Sequence, residues 1–165
     1  QGSSPHMSME LLKSMLNINM VPVHYKGDGA AIGELIGGQV PIMSASIAGL
    51  LPYTKNGKLR GIAITGAKRS TIAPEFPTIR EALGLKDYEL IAYFAVFAPA
   101  GTPADIVQKL NAAINTAATD KTILERFSAL GFETAPASPE ALAQRSKTET
   151  AKWAKAIRDA KIELQ

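Results

Sequence analysis

The stretch MVPVHYKGDGAAIGELIGGQVPIMSASIAGLLPYTKNGKLRGIAIT, Met20 to Thr65, decides the fold. It opens on Met20 to Tyr25, where Val21, Val23 and Tyr25 alternate onto one face as in a short strand. Pro22 gives that strand an edge position or a bulge. Lys26 to Gly29 forms a glycine-containing turn, and Ile32, Leu35 and Ile36 then share one side of a short helix closed by Gly37-Gly38. Val40 to Met43 reads as a buried strand, Ile47 to Asn56 as a helix ending at Gly57, and Leu59 to Thr65 as a further strand. This βαβα order predicts an α/β fold with a parallel or mixed sheet flanked by helices.

Upstream, Met7, Leu11, Leu12 and Met15 recur at helical spacing from Pro5 to Leu16, with Ser4 as the expected N-cap and Pro5 at the first helical position. Downstream lies a looser stretch, Gly66 to Thr78, and then a strand-like segment, Tyr88 to Ala98, long enough to cross from one lobe to another. Beyond Pro99-Ala100-Gly101-Thr102-Pro103 the pattern turns helical. Ile106, Val107, Leu110 and Ile114 make one stripe, Ile123, Leu124, Phe127 and Leu130 a second, and a last helix is expected from Ser138 to about Lys161.

With 165 residues, 46% hydrophobic and 20% charged, the chain has globular proportions and enough length to bury a core. Lysine and arginine exceed aspartate and glutamate by only 18 to 15, spread along the sequence, which is too weak a field for a nucleic-acid or membrane-surface binder. The absence of cysteine removes disulfides, thiolate nucleophiles and cysteine-ligated metals. The longest apolar run, Leu90 to Ala98, is half of what a membrane-spanning helix needs.

Four junctions fall where a parallel sheet gathers its ligand-contacting turns: Gly2-Ser3-Ser4, Tyr25-Lys26-Gly27, Ser44-Ala45-Ser46 and Thr65-Gly66. Their small hydroxyl and glycine residues let backbone N–H groups and alcohols approach an anion beside a helix N-terminus. The plainer reading of each is a serine cap or a glycine turn. Catalytic constellations are missing. No Gly-x-Ser-x-Gly elbow is present, and the two histidines, His6 and His24, are not followed by a metal-ligand spacing. Glu10, Glu34 and Glu81 sit in expected amphipathic helices. An enzyme is not expected, nor a cofactor or metal.

Gly-Ser-Ser-Pro-His-Met at 2 to 7, Val-Pro-Val-His-Tyr-Lys-Gly at 21 to 27, Gly-Gly-Gln-Val at 37 to 40, Gly-Lys-Leu-Arg-Gly-Ile-Ala at 57 to 63, Phe-Ala-Pro-Ala-Gly-Thr-Pro at 97 to 103 and Lys-Trp-Ala-Lys at 152 to 155 follow one another in an order that resembles the Bug-type receptors, the periplasmic solute-binding components of tripartite tricarboxylate transporters. The resemblance spans essentially the whole chain and corresponds to the C-terminal half of such a receptor. It favours a native origin for the Gly2–Met7 stretch over an expression scar.

What the resemblance implies is a two-lobed clamshell holding a small carboxylate, with a di- or tricarboxylate or a related organic acid as solute and membrane transporter subunits as partners. Residues 1–90 would be lobe 2, and residues 91–165 the crossover strand and C-terminal helices of an incomplete lobe 1. Carried over by position, the solute contacts are Ser3, Ser4 and His6, then Tyr25, Lys26 and Gly27, and Ser46. Ala45 stands where the family commonly has an aspartate, which disfavours an amine-bearing solute. Asp28 stands where a glycine is frequent and places a negative charge at the mouth. The unaccompanied C-terminal helices imply exposed apolar surface, hence a homodimer or domain-swapped oligomer. The competing reading is a truncated receptor half acting only as a protein-interaction module.

Overall fold

The computed structural model describes residues 2–159, and the end of the expected last helix, beyond 159, lies outside them. The chain divides between Ala92 and Tyr93 into two compact units.

In the first unit, α1 (Ser4–Leu16) is followed by α2 (Asp28–Ile36), α3 (Ile47–Lys55) and the short α4 (Ile79–Leu83). Helix α1 starts one residue before the expected position, so Ser3, in extended conformation, is the N-cap instead of Ser4. Asn17 ends it in the left-handed region at φ 50°, donating its N–H to the Lys13 carbonyl. Helix α2 is entered through Gly27 at φ 124°, a backbone conformation that a side chain would resist. Helix α4 is fixed by a capping box: Glu81 N–H donates to Thr78 Oγ1 at 3.1 Å, and Thr78 N–H to Glu81 Oε2 at 2.8 Å. The core of this unit is Met7, Ala31, Ile32, Ala73, Ile79, Tyr88 and Leu90, with Ser8 and Thr78 buried among them.

The second unit carries α5 (Ala104–Thr119), α6 (Lys121–Ala129) and α7 (Pro139–Asp159). The Asp120 side chain accepts from Ile123 N–H and so starts α6 directly after α5. Asn115 clasps the extended residue Ala137 from both sides, donating to its carbonyl at 3.0 Å and accepting from its N–H at 3.2 Å. Arg145 lies over the Tyr93 ring at 4.5 Å. The apolar stripes of α5 and α6 remain open: Ile106, Leu110, Ile114, Leu124 and Phe127 are all exposed.

The expected strands are corrected. Among the described residues there is no strand, only an isolated parallel bridge between Ile64 and Thr78. Ile64 N–H donates to the Pro77 carbonyl at 2.8 Å, Ile79 N–H donates to the Ile64 carbonyl at 2.9 Å, and Leu90 N–H donates to the Thr65 carbonyl at 2.9 Å. Two of the segments read as strands, 20–25 and 40–43, contain prolines, Pro22 and Pro41, that have no N–H to give a ladder. Val40 to Met43 is not buried either, since Ile42 is 42% exposed and the segment follows a turn. Alternation along a chain sets which face is apolar, whereas a strand also needs a neighbouring backbone to pair with. Only the ends of Leu59–Thr65 and of Tyr88–Ala98 nearest residues 64 and 90 find one here.

Candidate ligand site

Side-chain contacts tie three of the four junctions together within the first unit. His6, in the first turn of α1, meets His24 edge to face with ring centroids 4.8 Å apart, joining the start of α1 to the turn before α2. Ser8 Oγ and Ser44 Oγ are 2.8 Å apart, joining α1 to the turn before α3. A Cβ built on Gly49 would sit 3.7 Å from Asp28 Oδ2 and 3.3 Å from Ser46 Oγ, so the first turns of α2 and α3 are adjacent. The fourth junction, Thr65–Gly66, is tied instead to the Leu90–Ile91 segment, through the Leu90 hydrogen bond and the approach of Ile91 to Gly66.

The named residues differ in what they have free. Ser3 is exposed and makes no side-chain cap bond, and the first turn of α1 carries no acidic residue; Pro5 has no N–H and Met7 N–H donates to the Ser3 carbonyl, which leaves the Ser4 and His6 amides and the Ser3 hydroxyl to face an anion. Ser4 and Tyr25 are half-buried, while Lys26 and Gly27 are exposed. The Ser46 oxygen accepts from Gly49 N–H at 3.3 Å as the α3 cap and retains its O–H for donation. Asp28 occupies the first turn of α2 with its carboxylate beside the first turn of α3, where it takes up part of the field a ligand anion would use.

His6 is built to stay neutral. Its Nδ1 accepts from Gly2 N–H at 3.1 Å, which puts the ring proton on Nε2, facing Glu10 Oε1 at 3.9 Å. Burial first, and the neighbouring His24 second, lower its pKa from 6.5, while Glu10 opposes them. Glu10 is itself engaged by Lys13 Nζ at 2.9 Å. Among the described residues no group of three or more His, Asp or Glu side chains is placed to hold a metal ion.

Sequence reasoning passed over Ser8 and Tyr88. Tyr88 is fully buried, and its hydroxyl donates to the Ser8 carbonyl at 3.1 Å across 80 residues of sequence. Burial pushes its pKa up to about 12. The signal for Ser8 was a hydroxyl set among Met7, Leu11 and Leu12 on the apolar side of α1, where an unpaired polar group is costly.

The fold is similar to that of the periplasmic binding proteins over about half of their length. Three solved structures carry that likeness: R. palustris Rpa4515 with adipate (TM-score 0.81, 32% identity, 96% of this chain and 53% of that one), MatC from Rhodopseudomonas palustris with bound malate (0.75, 34%, 94% and 54%), and the periplasmic binding protein BugD (0.75, 30%, 99% and 55%). The chain belongs to the tripartite tricarboxylate transporter family of receptors, whose family model matches residues 1–162. It spans about half the length of the curated relatives it first matches, 46% to 50% of each.

Proposed function

We propose that the first unit captures a small carboxylate, a dicarboxylate before a tricarboxylate, and that the receptor presents it to a tripartite transporter without chemical change. The observation that carries this is the joining of three turns through His6 with His24 and Ser8 with Ser44, with the Asp28 carboxylate beside the first turn of α3. Amides at the first turn of α1 and the hydroxyls of Ser3, Ser4 and Ser46 would take over the hydrogen bonds that water gives a dissolved acid. Each buried acceptor left without a donor costs roughly 1–3 kcal/mol, which is where selectivity arises. Lys26 supplies the opposing charge, with Tyr25 and Gly27 shaping the turn beside it. The dicarboxylates named for two relatives, adipate and malate, support this class of solute.

The family's role as a transporter receptor supports a periplasmic location. Among the described residues no helix is long and apolar enough to cross a membrane. The assignment to lobes is part of the same reading, with 1–90 as lobe 2 and 91–165 as the returning part of lobe 1.

Isothermal titration of the 165-residue chain with a panel of mono-, di- and tricarboxylates tests the reading. A dicarboxylate should bind, Ser3→Ala should weaken it, and Asp28→Asn should tighten it by about 2- to 10-fold by removing a like charge at the rim. No heat or thermal shift with any acid of the panel, or no effect of Asp28→Asn, overturns the assignment of this rim.

A further inference from the structure

The geometry points to Ser8, Ser44 and Tyr88 as positioning residues of this rim: a hydroxyl relay that fixes the spacing between the Ser3–His6 turn and the Ser44–Ser46 turn without touching the solute. The inference rests on the carboxylate reading above and adds to it the device that sets the distance between its donors.

Proton accounting gives the relay a direction. Ser8 Oγ donates to the Pro5 carbonyl at 2.8 Å, so its single proton is used there. In the 2.8 Å contact with Ser44, the Ser44 hydroxyl must then be the donor and Ser8 Oγ the acceptor. The chain of bonds runs from Ser44, through Ser8, to the backbone of Pro5, which lies between the rim residues Ser4 and His6. Tyr88 completes it from below: its hydroxyl donates to the Ser8 carbonyl, pinning the same helical turn against the core. Both Ser8, 1% exposed, and Tyr88, 0% exposed, are shut away from water, so neither is available to a solute. Ser44 is half-buried and two residues before the Ser46 cap.

A buried serine whose hydroxyl was needed only to satisfy itself would be content with the Pro5 carbonyl three residues back, a common local bond within a helix. The second bond, across 36 residues to another turn, is what makes it a spacer. Hydrogen bonds in such a connected set are direction-dependent, so a small displacement of Ser44 is passed to Pro5. For a solute with two carboxylates, whose ends must meet donors on both turns, that spacing decides which length of acid fits.

The experiment compares the unmutated chain with Ser44→Ala, Ser44→Thr and Ser8→Ala, using hydrogen exchange read by mass spectrometry and titration with adipate and malate. Ser44→Ala should speed exchange of the amides at residues 3–8, far away in sequence, and weaken binding of the better acid by about 3- to 10-fold, with a change in the preference between the two. Ser44→Thr, which keeps the hydroxyl, should restore both, and Ser8→Ala should reproduce the exchange change. Unaltered exchange at residues 3–8 in Ser44→Ala overturns the relay whatever happens to affinity. Faster exchange with unaltered affinity and preference overturns its role at the site. If neither acid nor any other of the wider panel binds the unmutated chain, the carboxylate reading fails, while coupled exchange between the two turns still upholds the relay as their spacer.

Discussion

His6 is where a single residue couples the rim to pH. Its pKa lies below 6.5 because the ring is partly buried and faces His24, and protonation would also break the bond that Nδ1 accepts from Gly2. The proton therefore prefers the unfolded chain, whose imidazole keeps the ordinary value. Stability from this source is intact above pH 6.5 and is lost as the pH falls toward the lowered folded value. Glu81, held below the carboxylate range chiefly by the Thr78 amide, and Glu140 contribute in the same direction only in more acidic solution. Urea midpoints should fall between pH 7.5 and 5.5, and His6→Gln should remove most of that slope; an unchanged slope in the variant would place its origin elsewhere. At this scale the sequence was partly legible. Hydroxyl and glycine residues at junctions marked the turns, but Ser46 caps α3 while Ser3 stays open on nearly the same extended backbone, so the difference lies in where each hydroxyl turns, which spacing does not encode.

Among the elements, Ile64–Thr78 is the one β-bridge among the described residues, and Gly61 sits three residues before it. A Cβ on Gly61 would fall 2.5 Å from Cζ of Phe76, a contact that no side chain can make without displacing the ring. Gly61→Ala should destabilise the first unit by about 1–3 kcal/mol through overpacking, measured as a lower urea midpoint. Pairing it with Phe76→Leu should recover part of the loss, and equal midpoints for Gly61→Ala and the unmutated chain would show that the ring swings aside freely. Most helices were legible because each signal is local: apolar spacing, the Pro5 start and the glycines after α2, whereas the Thr78 capping box and the Gly84 stop that bound α4 were passed over. The sheet was not. Val21, Val23 and Ile62 alternate as strand residues do, yet all three are exposed, because pairing is a relation between distant backbones and no periodicity within one segment carries it.

At the scale of the whole molecule, several large apolar side chains stand open to water. Phe94 is 89% exposed, Phe97 74% and Val96 72%. Phe94 lies against Phe132 with ring centroids 5.9 Å apart, and Phe132 against Phe127 at 6.5 Å, so a cluster of three rings forms without being covered. Fully burying a side chain of this kind is worth about 1.5–3 kcal/mol, so two or three of them on each of two copies reach the range of roughly 4–15 kcal/mol that association costs. A second copy of the chain would present the same rings and could cover them. Light scattering should therefore give a mass above 17.5 kDa that rises with concentration, and replacing both Phe94 and Phe97 by serine should return it toward the monomer. A constant monomer mass at high concentration would show that these rings are tolerated in water, and self-association would no longer follow from the surface.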